Sequence, residues 1–185
     1  MLHILDFCTM AVNLLCTFLL ASFYTIGWPV GILGLIMSTV LFFISKLYAD
    51  AILQIILMFS FVYGWYSWRV NKQNKSFSIQ RLSLSGWVVT IFLIVLVGML
   101  VSSLLIEFTK STTPYLDGFT SVASLVCVLL ASRKIIDNWI IWIVVDSTYI
   151  VLYLYKDLFF ATITTIVYVI IAIYGYKHWK KVQGT

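Results

Sequence analysis

Seven long apolar stretches, each close to the length of a membrane-spanning helix, constrain the fold of this chain more than any other feature. A helix needs roughly 20 mainly apolar residues to cross the hydrocarbon layer of a bilayer. Charged residues make up only 10% of the 185-residue sequence, against about 25% in a soluble domain. The stretches are continuously apolar, which favours helices over a β-barrel. The sequence therefore predicts an all-α integral membrane protein with seven transmembrane helices in a single membrane domain, 1–185.

The predicted spans are bounded by charged residues, proline or glycine. They are Leu2–Ala21, Ile26–Ser45, Leu47–Trp68, Gly86–Ile106, Tyr115–Ser132, Asn138–Tyr155 and Leu158–Lys177. These spans leave no room for a soluble catalytic or nucleotide-binding domain, so we expect neither an enzyme nor a cofactor. The three cysteines lie in apolar stretches, where thiols usually serve as packing residues. Two histidines near opposite ends of the chain do not indicate a metal site.

Lysine and arginine are distributed unevenly between the two sides of the predicted membrane domain. One side carries nine of them, which are Arg69, Lys72, Lys75, Arg81, Arg133, Lys134, Lys177, Lys180 and Lys181. The other side carries Lys46, Lys110 and Lys156. Because short cytoplasmic loops are rich in Lys and Arg, we expect the C-terminus in the cytoplasm and the N-terminus outside. This bias accounts for the net charge of +5 without nucleic-acid binding.

Two parts of the sequence resemble each other at a constant separation along the chain. The segments Tyr63–Trp68 and Tyr174–Trp179 share a Tyr-Gly-x-x-x-Trp pattern, and the same separation, which we call the repeat spacing, relates Trp28 to Trp139. Aromatic belts at the membrane interfaces are the alternative explanation, but belts do not fix such a spacing. We predict two parallel three-helix repeats, 1–68 and 115–185 with its short basic tail, joined by a basic loop and a connecting helix, 69–114.

The sixth predicted span carries an aromatic and acidic face. Five side chains follow each other at intervals of 3, 4, 3 and 4 residues, which places them on one side of a helix: Trp139, Trp142, Asp146, Tyr149 and Tyr153. Aromatic rings attract a flat organic cation, and a carboxylate supplies the countercharge. An acid at the centre of a membrane helix costs about 2.5–3.5 kcal/mol. We therefore interpret Asp146 as part of a polar substrate cavity; the alternatives are a structural hydrogen bond to a neighbouring helix and a protonated, coupling role.

Three further polar residues inside predicted spans are candidates for substrate contact. The amide of Gln54 suits an amide or aminopyrimidine group, although it could equally join two helices. Thr120 and Ser124 lie four residues apart on the fifth span, where small hydroxyls are also common packing residues. Asp50 and Asp137 lie near span ends, and we expect both to be solvated.

At these residues the sequence resembles the PnuC family of bacterial vitamin transporters. The matching pieces are Leu47-Tyr48-Ala49 followed by Gln54, Tyr63–Trp68, Asp117 with Thr120 and Ser124, Arg133-Lys134, Asn138-Trp139 with Trp142, Leu152-Tyr153-x-Tyr155-Lys156-Asp157-Leu158, and Gly175-Tyr176 with Trp179. The resemblance covers nearly the whole chain, and the Asn-Trp-x-x-Trp segment together with Tyr-Gly-Trp-Tyr-x-Trp is its most specific part.

This resemblance implies a seven-helix, 3+1+3 fold that is related to the SWEET sugar facilitators but inserted the opposite way. It also implies a homotrimer in the bacterial inner membrane. Members of the family take up nicotinamide riboside, and relatives take up thiamine or riboflavin. The implied transport is facilitated diffusion, with cytosolic phosphorylation trapping the product.

Carried over residue by residue, the resemblance makes Gln54, Asn138, Trp139 and Trp142 the expected substrate contacts. Asp146 stands where we expect Asn in some relatives. The aromatic and acidic face suits the pyridinium of nicotinamide riboside and the thiazolium of thiamine equally well. We expect nicotinamide riboside because it is the commonest assignment in the family, with thiamine as the alternative and riboflavin behind it.

Three classes of function compete for a chain with these features. The first is a passive uniporter for a vitamin cation. The second is a membrane enzyme, which is disfavoured because the sequence lacks a cluster of His, Asp or Glu near one membrane face. The third is a binding subunit for a separate energising module, which would transport nothing alone.

Overall fold

The computed structural model describes residues 2–45, 48–71, 78–109, 111–155, 157 and 159–184. This part of the chain contains seven α-helices, which are α1 (Leu2–Ala21), α2 (Gly27–Ile44), α3 (Tyr48–Val70), α4 (Leu84–Phe108), α5 (Pro114–Ser132), α6 (Asn138–Tyr155) and α7 (Phe159–Gln183). Each helix is long and apolar enough to cross a membrane. The prediction of an all-α membrane protein with seven spans is therefore confirmed. Leu47 and Leu158, where two predicted spans begin, lie outside the described residues.

Helices α4 and α7 extend further than the apolar stretches that predicted them. Helix α4 starts before Gly86 because the Ser83 hydroxyl accepts a hydrogen bond from the Gly86 amide at 3.1 Å and caps the helix. Helix α7 continues past Lys177 to Gln183, and its last turn carries Lys180 and Lys181. Cations at this end of a helix interact favourably with the helix dipole. Apolar composition predicts where a helix leaves the hydrocarbon, and not where the helix ends.

Six of the described helices form a closed ring. Helix α1 packs on α2, α2 on α3, α3 on α5, α5 on α6, α6 on α7, and α7 on α1. Helix α4 approaches only α5 closely and lies outside the ring. We call α1–α3 the first half and α5–α7 the second half. The halves meet at two interfaces, one between α3 and α5 and one between α7 and α1.

Helix α4 packs closely against α5 because glycines at the contact leave room for the neighbouring helix. Gly98 of α4 faces the ring of Phe119, and Gly118 of α5 faces the Ser102 hydroxyl and the Gly98 carbonyl. Ser102 is fully buried and donates to the Gly98 carbonyl at 2.7 Å. In lipid, where apolar burial does not favour helix association, small residues permit the close backbone approach that packing requires.

Two tryptophan–glycine contacts recur at the repeat spacing. The Trp28 ring lies where a side chain on Gly64 would be, and the Trp139 ring lies where a side chain on Gly175 would be. Both tryptophans then meet the tryptophan that ends the same half, with ring centroids 5.6 Å apart for Trp28 and Trp68. The corresponding distance from Trp139 to Trp179 is 5.7 Å.

The turns that follow α1 and α5 recur at the same spacing. Phe23 and Lys134 both have left-handed backbones, with φ of 65° and 57°. The Phe23 amide donates to the Leu20 carbonyl and the Lys134 amide to the Ala131 carbonyl, each at 3.0 Å. A left-handed conformation is uncommon for residues other than glycine, asparagine and aspartate. Two such residues at equivalent places show that the helices α1 and α5 end in the same way.

These turns, the α3–α4 connection and the end of α7 lie at one end of the helix ring, which we call the basic end. An aromatic cluster fills it: Phe23, Trp28, Trp68, Trp139 and Trp179. Its four tryptophans are at most 3% exposed. The first turns of α3, α5 and α7 lie at the opposite end.

The glycines in these contacts can be tested by adding one methyl group. Gly64→Ala and Gly175→Ala should each lower the thermal stability of the detergent-solubilised protein, because overpacking costs about 1–3 kcal/mol. Alanine otherwise favours a helix by about 1 kcal/mol over glycine. Gly184→Ala, which adds a Cβ in ordinary contact distance only, is the matched control. Gly64 and Gly175 variants as stable as the Gly184 variant would contradict the close packing.

Candidate substrate site

A hydrogen bond joins α5 and α6 in the half of the ring nearer the opposite end. The hydroxyls of Thr120 and Tyr149 are 2.6 Å apart. Thr120 is buried, and its hydroxyl also approaches the Leu116 carbonyl at 2.7 Å. The Tyr149 ring stacks on Tyr153 with centroids 5.5 Å apart. Two of the predicted α6 residues thus form an aromatic surface that is fixed from α5.

Asp146 lies one turn before this surface on α6 and is partly buried. Its carboxyl is close enough to interact electrostatically with Tyr153 on the same helix and with Tyr168 on α7. It also interacts with the Cys127 thiol on α5. Asp146 makes no side-chain hydrogen bond or salt bridge to any described residue. Its carboxyl is therefore within electrostatic range of the two neighbouring helices and keeps its hydrogen-bonding capacity.

Two more acidic side chains lie between Asp146 and the opposite end. Asp117, in the first turn of α5, accepts hydrogen bonds from the hydroxyls of Ser111 at 2.6 Å and Thr113 at 3.2 Å. Asp50, in the first turn of α3, is exposed, as expected, and interacts electrostatically with Asp117. Both carboxyls also act on Tyr149. Acidic side chains therefore extend from the opposite end to the middle of α6.

Three other predicted residues have individual surroundings. Trp142 is partly buried. It packs against the core that contains the aromatic cluster and against a second buried apolar cluster that includes Cys127 and Val145. The Ser124 hydroxyl donates to the Thr120 carbonyl of its own helix at 2.8 Å, so its contact is local. Gln54 on α3 is partly buried and makes no side-chain hydrogen bond within the described part of the chain. The amide of Gln54 therefore has donors and an acceptor to offer.

Asn138 and Trp139 lie at the basic end, apart from Thr120 and Tyr149. Asn138 is fully buried and donates to the Ile135 carbonyl at 2.7 Å. Its side-chain oxygen and the indole nitrogen of Trp139 are buried and have no hydrogen-bond partner among the described residues. The structure thus brings part of the predicted α6 face together with Thr120, and it separates that part from Asn138.

Asp137 differs from the expectation of a solvated carboxylate. It is 4% exposed and accepts a hydrogen bond from the Leu82 amide at 2.6 Å. The chain segment that precedes α4 folds back over the α5–α6 turn and covers Asp137. The position of a residue near a span end does not reveal such a covering segment.

Sequence reasoning missed Tyr168 of α7, which interacts electrostatically with Asp146. The residues Thr165, Tyr168, Ala172, Gly175 and Trp179 have the same 3, 4, 3, 4 spacing as the α6 face, and all are buried or partly buried. That spacing was a usable signal. Among the described residues, no three His, Cys, Asp or Glu side chains come together to hold a metal ion.

The arrangement has the chemistry of a site for a flat organic cation. Tyr149, Tyr153 and Trp142 supply π faces, and Asp146 supplies negative charge within reach of them. Cation–π attraction is strongest where water is excluded, at about 2 kcal/mol or more. Within the described residues this site contains no lysine or arginine that would neutralise Asp146.

Comparison with known proteins gives a consistent result. Residues 3–181 match the family described as nicotinamide mononucleotide transporter. The nicotinamide riboside transporter PnuC of Escherichia coli (strain K12) is 23% identical over 175 residues, which cover 80% of this chain and 73% of that protein. The Haemophilus influenzae protein of the same name is 24% identical over 136 residues, covering 71% of this chain and 58% of that protein.

A solved structure shares the fold. The crystal structure of the vitamin B3 transporter PnuC superposes with a TM-score of 0.75 at 19% identity, covering 95% of this chain and 80% of that one. The seven spans and the matches to transporters support a multi-pass protein of the inner membrane. Since the family match extends over almost the whole sequence, the chain belongs to the nicotinamide mononucleotide transporter family, which is the PnuC family.

Proposed function

We propose that this protein takes up nicotinamide riboside across the bacterial inner membrane by facilitated diffusion, with cytosolic phosphorylation trapping the product. The relatives that are named nicotinamide riboside transporters support this substrate over thiamine or riboflavin. Passive transport is what the family resemblance implies. The phosphorylation step rests on the family resemblance.

The observation that carries the proposal is the position of Asp146. It lies near the middle of α6, within electrostatic range of Tyr168 of α7 and Cys127 of α5. An ionised acid at this depth is costly unless a cation or a wet cavity accompanies it. A pyridinium between Asp146 and the Tyr149–Tyr153 surface would meet both charge and π contacts. In this proposal Thr120 and Gln54 contact the polar groups of the substrate, and Ser124 lines the same side of α5.

The proposed site extends toward the basic end. Trp142 forms its wall, while Trp139 and Asn138 are the contacts that the substrate meets next, farther along α6 toward the basic end. The unpartnered indole nitrogen of Trp139 and the unpartnered side-chain oxygen of Asn138, judged within the described part of the chain, support this assignment. A buried donor or acceptor without a partner costs about 1–3 kcal/mol. A substrate or a water that reached these atoms would remove that cost.

The architecture of the proposed transporter is a 3+1+3 arrangement of two parallel three-helix repeats, related to that of the SWEET facilitators. The tryptophan–glycine contacts and the left-handed turns that recur at the repeat spacing support it. The Lys and Arg bias supports an outside N-terminus and a cytoplasmic basic end. The homotrimer remains a proposal that rests on the family resemblance.

Binding of nicotinamide riboside to the purified protein, measured by calorimetry, tests the substrate. Asp146→Asn keeps the shape of the side chain and removes its charge. It should weaken binding of the cation about tenfold or more, since a charged contact contributes about 1.5–3 kcal/mol. Binding of the neutral dihydro form of nicotinamide riboside should weaken much less in this variant. Asp6→Asn, which changes an exposed acid on α1, is the matched control.

Thiamine and riboflavin are measured in the same way. Tight binding of thiamine, with no binding of nicotinamide riboside or riboflavin, would show that thiamine is the substrate. If the Asp146 variant loses equal affinity for nicotinamide riboside and for its neutral dihydro form, an electrostatic role for this residue is contradicted.

The hydrogen bond between Thr120 and Tyr149 can be tested separately. Tyr149→Phe and Thr120→Val keep the size of each side chain and remove one hydroxyl. Each should weaken nicotinamide riboside binding by about threefold to tenfold, because a hydrogen bond of this kind contributes about 1 kcal/mol. The double variant should be little worse than either single one, since both lose the same bond. Fully additive losses would show that the two hydroxyls act independently.

A further inference from the structure

The two tryptophans that end α3 and α7 make reciprocal hydrogen bonds. The indole nitrogen of Trp68 donates to the Ala131 carbonyl of α5 at 3.1 Å, and that of Trp179 donates to the Leu20 carbonyl of α1 at 3.1 Å. Each pair is related to the other by the repeat spacing. One bond crosses the α3–α5 interface and the other crosses the α7–α1 interface. Both interfaces between the halves are thus joined in the same way and at the same end.

The accepting carbonyls are part of the left-handed turns. Leu20 and Ala131 also accept the amides of Phe23 and Lys134. Each indole therefore binds to a turn whose backbone is in an uncommon conformation, which surrounding contacts have to hold in place. Loss of an indole bond would remove one of those contacts.

The turn residues cover the same two tryptophans. Phe23 packs edge-on against Trp179 with ring centroids 5.1 Å apart. The ammonium of Lys134 lies 5.6 Å from the Trp68 ring centroid and 5.0 Å from that of Phe23. Partial burial in this position lowers the pKa of Lys134. Each half thus places a turn residue over the tryptophan of the other half.

Within the described residues, the segment 78–82 is hydrogen-bonded to the second half but not to the α1–α2 turn of the first half. The backbone amide of Gln80 donates to the Lys134 carbonyl at 3.1 Å, and the backbone carbonyl of Gln80 accepts from the Ile136 amide at 3.0 Å. Arg81 donates to the Tyr176 hydroxyl at 2.8 Å. These bonds join the segment 78–82 to the α5–α6 turn and to α7. Within the described residues, no such bonds join this segment to the α1–α2 turn.

We propose that Trp68 and Trp179 are the gating residues of the basic end, and that both indole–carbonyl hydrogen bonds must break for substrate to leave there. This proposal rests on the proposed transport function. The two halves cannot separate at the basic end while either bond persists, because each bond spans one of the two interfaces. The second half, fastened by segment 78–82, moves as one body, and the first half moves away from it.

The test uses the chain's own buried thiols. Cys16 and Cys127 are 4% and 0% exposed and lie one helical turn before the two accepting carbonyls. In a Cys8→Ser background, which removes the exposed thiol, a membrane-impermeant maleimide is applied to sealed vesicles with the basic end outside. Cleavage of a C-terminal tag identifies that orientation.

Trp68→Phe and Trp179→Phe keep an aromatic ring and remove the N–H donor. We expect each single variant to raise the labelling rate about twofold, and the double variant to raise it about tenfold or more, because either bond alone still holds the halves. Trp87→Phe on α4, outside the ring, is the matched control and should leave the rate unchanged. A single symmetric peak in size-exclusion chromatography and a cooperative thermal transition confirm that each variant is folded. Nicotinamide riboside binding should stay within about threefold of the parent.

Unchanged labelling in the folded double variant would overturn the proposal. If that variant does not fold, the two single variants decide. A labelling rate that is unchanged in both of them would overturn the proposal, and a rise of about twofold in each, with no rise in the Trp87 control, would support it. Failure of the parent to bind nicotinamide riboside would count against the proposed substrate alone, because thiol labelling does not require it.

Discussion

Two indole–carbonyl hydrogen bonds at one end of the helix ring are the interactions on which the rest of the structure depends. Inside a bilayer, apolar burial does not draw helices together, so close packing and polar contacts must do so. Trp68 and Trp179 supply both, because their rings fill the basic end and their nitrogens reach the carbonyls of the opposite half. The helix ring is therefore closed at the basic end, and the proposed route to Asp146 starts at the opposite end.

The charges of the protein follow this asymmetry. Asp50 and Asp117 lie at the opposite end, and Asp146 continues their negative potential toward the middle of α6. Lysine and arginine are concentrated at the basic end. In the proposed function, a cation is attracted at the opposite end and meets the aromatic cluster and Lys134 at the basic end. This order of attraction and closure suits the proposed facilitator, in which the opposite end faces outside and the basic end faces the cytoplasm.

The sequence predicted the number of spans and the residues of the α6 face, because composition and helical spacing decide these locally. The depth of each residue on that face was not predictable in the same way. Trp139 and Tyr153 are separated by about 21 Å along a helix at 1.5 Å per residue, which is too far for one small molecule to contact both ends. Spacing identifies a face, whereas packing decides which part of the face forms the site.

The contacts between the halves could not be predicted from the sequence. The repeated pattern revealed that Trp68 and Trp179 are equivalent, but not that each would bind the turn of the other half. Tyr168 and the covering of Asp137 were missed for the same reason, since both depend on a neighbouring element that is distant in sequence. Long-range pairing of this kind follows from the closure of the ring.

The most direct test of the account is flux through the protein alone. Sealed liposomes that contain only this protein, with no ion gradient and no nucleotide, are given labelled nicotinamide riboside outside. The account predicts saturable uptake that stops when the concentrations inside and outside are equal, and faster uptake of label when unlabelled substrate is loaded inside. Uptake that requires a proton gradient or an added ATPase, or no uptake by protein that binds the substrate, would contradict a passive transporter.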